Sequence, residues 1–563
     1  MNDVLQFIDK MRNEIYNRVD APLIRFQDRS KQLLLCNAIR YIDSLFENDV
    51  MGSRNISKRT ADIIEFGFPA LLRTVKLDNK NLEGMMLLPS DELMKQQIEM
   101  ILDEFYIAGL LETCRNYVKY GLLEESRFEK QLILKFKETY HFMERLDKIS
   151  TVIESNNTLY RLMPYNFLMA SESEPILKRM EELLYLWNND FIGYGAHEDV
   201  DQYYIDNAVI DLLQETDWDI FEEKNKFGGI EYGIFIDAIV FLEMVALKHL
   251  QFVYLAIDKY KTLDKFNILP VIAKKEIICE SLSDFLSIDM VTAEKVFSLL
   301  SFRQSQSDEF WKKNLPLPPY VEMAKDYYIR SLAGCLYEPV SYFLYNLKKE
   351  YPRDWDINIQ KREERFREEI YDFFPDDLYI KYSKNIIIKE GKKVVTDIDG
   401  CLYEKATGYI CFLQLKWQDT IYDSFKSMLS KKTNYINKVN EWIETMQEWT
   451  NSVSVNTIAD YLQLSPRDID KSKIRLIVVG RFNGRYSTSE KNNNGSVYCQ
   501  WFELKRMLHK YAESMTVGEQ TFNELYEKLE EAMKRKEEEP RMKSGINCGE
   551  KTIIYDGLFY IEA

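Results

Sequence analysis

The sequence predicts a multidomain protein: an all-α N-terminal region over residues 1–351, followed over residues 352–563 by an α/β domain with a mixed central sheet. Three observations predict it. At roughly 100–200 residues per domain, a chain of 563 residues is too long for one small core. Helix-period apolar spacing fills the first 350 residues and then gives way to short runs bounded by turn residues. Charge divides at the same place. Residues 351–563 hold 33 Lys and Arg against 35 Asp and Glu, so the net charge of −17 comes almost wholly from the first 350.

Taken in order, the opening MNDVLQFIDKMRNEIYNR mixes acids with apolar residues and lacks both the basic start and the apolar run of a secretory leader. Eight cysteines are scattered without a Cys-x-x-Cys pair, the usage of reduced thiols, and the expectation is a cytoplasmic protein. Met94, Ile98, Ile101, Leu102 and Phe105 line one helical face, with Ser90 as N-cap before the acidic first turn of Asp91 and Glu92. Residues 234–257 are strongly apolar but contain Asp237, Glu243, Lys248 and His249, costly groups in a bilayer, so they read as a buried helix and no membrane partner is expected. Breaks fall at Phe227-Gly228-Gly229 and at 314–319, where Asn-Leu-Pro-Leu-Pro-Pro is expected to divide two helical subdomains. A last helical stretch covers 323–351. Beyond the connector YPRDWDINIQ, the segment KREERFREEIYDFF reads as a helix. β-type runs follow at 385–389, 394–403, 409–417 and 474–480, with helices at 424–450 and 501–512.

The chemistry concentrates in VVTDIDGCLYEKATGYICFLQLKW. Side chains alternate along a strand, so Asp397 and Asp399 share one face, and Gln414 and Lys416 share one face of the partner strand. Two carboxylates, an amide and an ammonium on one side suit phosphodiester cleavage: hard oxygens hold Mg²⁺ or Mn²⁺, and a cation sits near the attacking water. A D-x-D…Q-x-K hairpin is also compatible with a solvated face of cross-strand ion pairs. Residues 381–510 carry 21 basic and 14 acidic side chains, a local excess that fits a polyanion. Lys426, Lys431, Lys432 and Lys438 on the intervening helix are its nucleic-acid-binding candidates, unless they form only an outer helix face.

These residues resemble the PD-(D/E)xK nuclease superfamily, whose core is a helix, a three-strand meander, a helix and a fourth strand, with an acid on the second strand and (E/D/Q)-x-K on the third. Asp399 and Gln414-Leu415-Lys416 match it, and the resemblance covers roughly residues 359–512. It implies that Asp399 is the principal metal ligand, that Gln414 and the Leu415 carbonyl complete the metal site, and that Lys416 orients or activates the water. Asp397 is then an alternative ligand. Two departures stand out: no Pro precedes the acid, and Gln414 replaces a carboxylate, leaving the site one charge short. The preceding helix offers Glu363, Glu364, Glu368 and Glu369. Glu369, on a face with Phe366, Ile370 and Phe373, is counted with the catalytic candidates, and Glu363, one turn before Phe366, stays open beside it.

The resemblance implies a metal-dependent endonuclease acting on DNA in preference to RNA, in the manner of a bacterial restriction or anti-phage effector. Two readings of other classes stand against it: a catalytically inactive nucleic-acid-binding module, and a helical protein-interaction scaffold. The acidic helical region is expected either to cover the basic face of the nuclease or to meet a protein partner or trigger, and oligomerisation is open. Other chemistries lack their parts. His141, His197, His249 and His509 stand alone, and neither G-x-x-x-x-G-K-[ST] nor G-x-G-x-x-G occurs.

Overall fold

The computed structural model describes residues 2–556 apart from 137–172 and shorter stretches, chiefly 78–83, 307–315, 419–424, 482–495 and 535–542. Long helices dominate the first half: Asn2–Ile24, Asp28–Ser53, Glu92–Lys119 and Tyr232–Lys259. Tyr232–Lys259 is buried along most of its length, as its composition requires. Its His249 is held between the Tyr194 hydroxyl (2.9 Å) and the Ile268 carbonyl (2.8 Å). The cap of Glu92–Lys119 is Asp91, whose carboxylate accepts the Met94 N–H at 2.8 Å. Ser90 is instead buried, and its hydroxyl accepts from Arg40 at 2.9 Å. No helix among the described residues is long and apolar enough to cross a membrane.

The N-terminal region is helical but not all-α. Val271–Lys274, Tyr327–Arg330, Tyr320–Ala324 and Ser301–Phe302 form a four-stranded sheet in that order. Two short hairpins are added, Leu184–Trp187 with Phe191–Tyr194 and Lys226–Phe227 with Ile230–Glu231. Residues 320–330 are therefore strands, not the start of a helix: their aromatic and β-branched residues alternate about a turn in which Asp326 takes φ 62°. The proline cluster does not divide subdomains. Ser301–Phe302 pairs in parallel with Tyr320–Val321 across it, and one apolar core includes Leu299, Leu300, Leu317 and Val321. The glycine pair Gly228-Gly229, both at positive φ, makes a hairpin turn.

Two further strands, Leu123–Phe128 (β1) and Gln131–Phe136 (β2), lie in this region, and the elements that position the site come later. They are the helix Arg362–Tyr371 (α1), strands Tyr379–Lys381 (β3), Ile386–Glu390 (β4), Lys393–Ile398 (β5), Gly400–Glu404 (β6) and Ile410–Lys416 (β7), helices Phe425–Ser452 (α2) and Val455–Leu462 (α3), strands Ile474–Gly480 (β8) and Ser496–Gln500 (β9), and helices Trp501–Val517 (α4) and Phe522–Lys534 (α5). The sheet order is β3-β6-β7-β8-β9; β3 and β7 run antiparallel to β6, while β8 is parallel to both β7 and β9.

β7 reads ICFLQLK because both faces of the sheet are covered. Leu402, Cys411, Leu413, Leu415, Ile477 and Val479 point to one side, where Phe366 and Ile370 of α1 and Leu504 and Leu508 of α4 continue into the core of the helical region. Phe412, Leu476, Val478 and Tyr498 point to the other, against Val439, Trp442, Ile443 and Met446 of α2 and Ile458 and Leu462 of α3. Seven of the eight cysteines are buried and in no disulfide.

The expected run 394–403 is two strands. β5 pairs with β4 as a separate two-stranded ribbon, and the chain breaks at Asp399 before β6 enters the main sheet. Gly400 makes the break tight: a Cβ there would stand 3.1 Å from the Tyr371 hydroxyl, which accepts the Cys401 N–H at 2.7 Å. The last strands, Lys543–Cys548 (β10) and Lys551–Asp556 (β11), return to the N-terminal region, where β11 pairs in parallel with β2 in the order β1-β2-β11-β10. The two regions thus share a core and a sheet.

Candidate active site

Asp399 stands where β5 ends and β6 begins, and the break explains its role. Its N–H still reaches the Leu413 carbonyl at 3.1 Å, but its carboxylate takes over the Leu415 N–H, accepting it on Oδ2 at 2.9 Å. The residue is buried, with 4 % of its surface exposed. The same Oδ2 accepts from the Gln414 side-chain amide and lies 3.5 Å from the Lys416 ammonium. β7 points Gln414 and Lys416 to the α2 side of the sheet, since Leu413 and Leu415 between them face the other core.

Asp397 joins through a residue that nothing in the sequence singles out. The Asn385 amide donates to Asp399 Oδ1 at 3.0 Å and to Asp397 Oδ2 at 3.2 Å, so one NH₂ group spans both carboxylates. Asn385 is in turn fixed by Arg367 of α1. That guanidinium donates to Asn385 Oδ1 at 2.6 Å, to the Asp399 carbonyl at 2.7 Å and to the Ser383 carbonyl at 2.6 Å. Arg367 is almost fully buried. It lies on the α1 stripe of Phe366, Ile370 and Tyr371, and a charged residue at an apolar period position is the signal that marks it.

The Asp399 carboxyl is pushed up from its ordinary value of 3.8 to about 6. Burial is the largest cause. Lys416 and the Leu415 N–H oppose it, while the charges of Glu363 and Asp397 add to it. Of the helix glutamates, Glu363 is therefore the one whose field bears most on Asp399. Glu369 is turned elsewhere: Arg481 pairs with it, Arg365 lies 3.9 Å away, and Asp219 of the helical region is 3.3 Å from Arg481. Arg365 and Arg481 also sit over the Trp417 ring, at 5.0 and 4.7 Å. The face that Glu369 shares with Phe366 and Ile370 is the face of α1 buried toward the helical region, so its neighbours are that region's ion pairs.

Lys426, Lys431 and Lys438 are exposed on α2, and the Lys432 side chain lies outside the described residues. The helix adjoins the site through Trp442, whose indole N–H donates to the Asp397 carbonyl at 2.7 Å. Among the described residues, the acidic region meets this domain through Asp219, which joins Arg365 and Arg481 on the α1 face of the sheet, while α2 packs on the other face. Apolar burial against α1 sets that orientation. Among the described residues, no group of three or more His, Cys, Asp or Glu side chains is arranged to hold a metal. Any divalent ion must therefore draw on neutral oxygens beside Asp399 and Asp397. No protein-family model matches this chain, and no curated protein and no solved structure matches it either.

Proposed function

We propose that the site around Asp399 hydrolyses phosphodiester bonds in nucleic acid, with DNA favoured over RNA, as a Mg²⁺- or Mn²⁺-dependent nuclease of the PD-(D/E)xK type. The observation that carries the reading is the convergence of Lys416, Gln414 and Asn385 on one buried carboxylate whose proton affinity is nevertheless raised. This carboxylate is held in place yet left short of positive charge, which suits a cation from solution.

The donor chemistry fits such an ion. The Asp399 and Asp397 carboxylates, the Gln414 side-chain oxygen and the Leu415 carbonyl are all hard oxygens of the kind Mg²⁺ and Mn²⁺ take, and the charge of Glu363 adds to the field at Asp399. When bound, the ion supplies a Lewis acid for a phosphate oxygen and a water of lowered pKa. The chain supplies the rest. Lys416 stabilises negative charge on the attacking water and on the phosphorus-centred transition state. Asn385, locked by Arg367, keeps the two carboxylates together, and the exposed lysines of α2 neutralise flanking phosphates. Incubation with supercoiled plasmid tests this: nicking with Mg²⁺ or Mn²⁺ and none in chelator supports it, and no cleavage with either ion refutes it.

One observation favours a second reading. The absence of a third ligating carboxylate among the described residues fits a binding module that has lost turnover, for which a salt-sensitive gel shift without cleavage is the signature. A role in restriction or anti-phage defence rests on the resemblance alone. Protection of cells against phage by the wild type but not by Lys416→Ala tests it.

A further inference from the structure

The ribbon β4–β5 stands apart from the five-stranded sheet and, among the described residues, is braced at its foot. There Ile388 and Ile398 are buried against α2 and α3, Trp442 holds the Asp397 carbonyl, and the Tyr461 hydroxyl accepts the Lys389 N–H at 3.0 Å while donating to its carbonyl at 3.3 Å. Beyond this foot every residue from Lys389 to Val394 is exposed, turning at Gly391 with φ 61°. Lys384, Lys389, Lys392 and Lys393 outnumber the two acids of this stretch, Glu390 at the tip and Asp397 at the foot, and none of the four is in an ion pair among the described residues. Two apolar side chains, Ile387 and Val394, are 48 % and 54 % exposed. In a chain of net charge −17, solubility does not call for a projecting basic hairpin.

We propose that β4–β5 is an arm that enters the major groove of duplex DNA and sets the duplex against the carboxylates at its foot. The proposal rests on the reading of the site as one that acts on nucleic acid, and it names the substrate class. Two strands about 4.8 Å apart fit a groove about 12 Å wide, whereas the deep, narrow major groove of A-form RNA excludes them. Lysines suit the phosphates of the groove walls, and Ile387 and Val394 suit thymine methyl groups on its floor. The reach follows from the chain. Lys393 precedes Asp399 by six residues, about 20 Å at roughly 3.3 Å per residue, which corresponds to about six base pairs at 3.4 Å each. The tip therefore grips the duplex about half a helical turn from the phosphate to be cut.

The test uses the full chain and fluorescence anisotropy in chelating buffer, with a 20-bp duplex DNA, a duplex RNA of the same sequence and a single-stranded DNA. The double variant Lys392→Glu/Lys393→Glu changes only exposed positions. It is expected to lose roughly tenfold or more in affinity for duplex DNA, with the slope of log K against log salt reduced by about two, and to bind the other two ligands as the wild type does. A control pair at exposed sites elsewhere, Lys224→Glu/Lys295→Glu, carries the same charge change and is expected to leave all three affinities unchanged. Undiminished duplex-DNA binding in the tip variant, an equal loss on all three ligands, an equal loss in the control, or no duplex binding by the wild type each overturns the arm. Hydrolysis of bis(p-nitrophenyl) phosphate with Mn²⁺ separates the two claims, because that small diester needs the carboxylates and not the ribbon. Tip variants that hydrolyse it at the wild-type rate support the arm, and a wild type that fails to hydrolyse it refutes the nuclease reading while the binding comparison still decides the ribbon.

Discussion

Replacing Asp399 by Asn removes a charge at a buried position, and its effect on stability separates a functional carboxylate from a structural one. Burial raises the carboxyl from 3.8 to about 6, and roughly two pKa units are worth about 3 kcal/mol. The sign follows from the direction of the shift. A carboxyl raised in the folded state favours its protonated form, so the wild type is most stable below the unfolded value and loses that stability as pH rises through about 6. An Asn at this position is free of that loss. It also turns an NH₂ toward the Asn385 amide that now donates to Oδ1 at 3.0 Å, which costs about 1 kcal/mol of hydrogen bonding. Asp399→Asn is therefore expected to be about 2 kcal/mol more stable than the wild type at pH 8 in chelator, a Tm gain of about 1.5–2 °C, with the two curves converging by about pH 4.5. The same variant is expected to lose cleavage, and to lose the Tm increase that Mn²⁺ gives the wild type. Differential scanning calorimetry from pH 4 to pH 8 reads both effects. A variant several kcal/mol less stable at pH 8 marks Asp399 as a structural anchor, and retained cleavage removes it from the mechanism.

Further outcomes follow from the same geometry. Lys416→Ala, which deletes the ammonium 3.5 Å from Asp399, is expected to lower the cleavage rate about 10²–10³-fold with the fold intact by circular dichroism. It should also move the acidic limb of the pH–rate profile upward, since Lys416 is what draws the Asp399 carboxyl down. Gln414→Glu restores the missing carboxylate and should lower the Mn²⁺ concentration needed for half-maximal cleavage, with Mn²⁺ effective below Mg²⁺. Full activity without any divalent ion in that variant and in the wild type excludes the metal mechanism. The glutamates of α1 are expected to part company. Glu363→Gln should raise the metal requirement about tenfold and move the acidic limb down, whereas Glu369→Gln should loosen the contact with Arg481 and lower Tm without moving the profile.

What the sequence reveals of the site follows from which interactions are local. Asp399, Gln414 and Lys416 are legible because strand alternation places them on one side, and β8 coincides with the run read from its apolar pattern. Asn385 is invisible because its importance comes from Arg367 of another element, and the sequence marks it only as the first residue of the run 385–389. The break at Asp399 is hidden because apolar alternation continues across it, with Gly400 the only mark. Among the glutamates, periodicity ranks Glu369 with the buried face of α1, but which core lies over that face is a tertiary fact, and it proves to be the helical region. The strands at 320–330 show the other failure. Aromatic residues in a mostly helical setting satisfy either period over so short a span, and pairing with residues 271–274 and 301–302 decides the outcome.

The pairing of β11 with β2 brings together Thr552 and Gln131, more than four hundred positions apart. During synthesis β1 and β2 emerge long before their neighbour exists, so that edge of the early hairpin must wait, open to wrong partners, until more than four hundred further residues have been made. Contacts closed over such a span also make for a slow final step in folding. A fragment from about residue 353 onward inherits the mirror problem: it carries β10 and β11 without their partner and exposes the side of the sheet that α1 shares with the helical region. Whatever restraint one region places on the other is thus built into a single cooperative unit, to be loosened by substitutions along the shared core and not by cutting the chain in two.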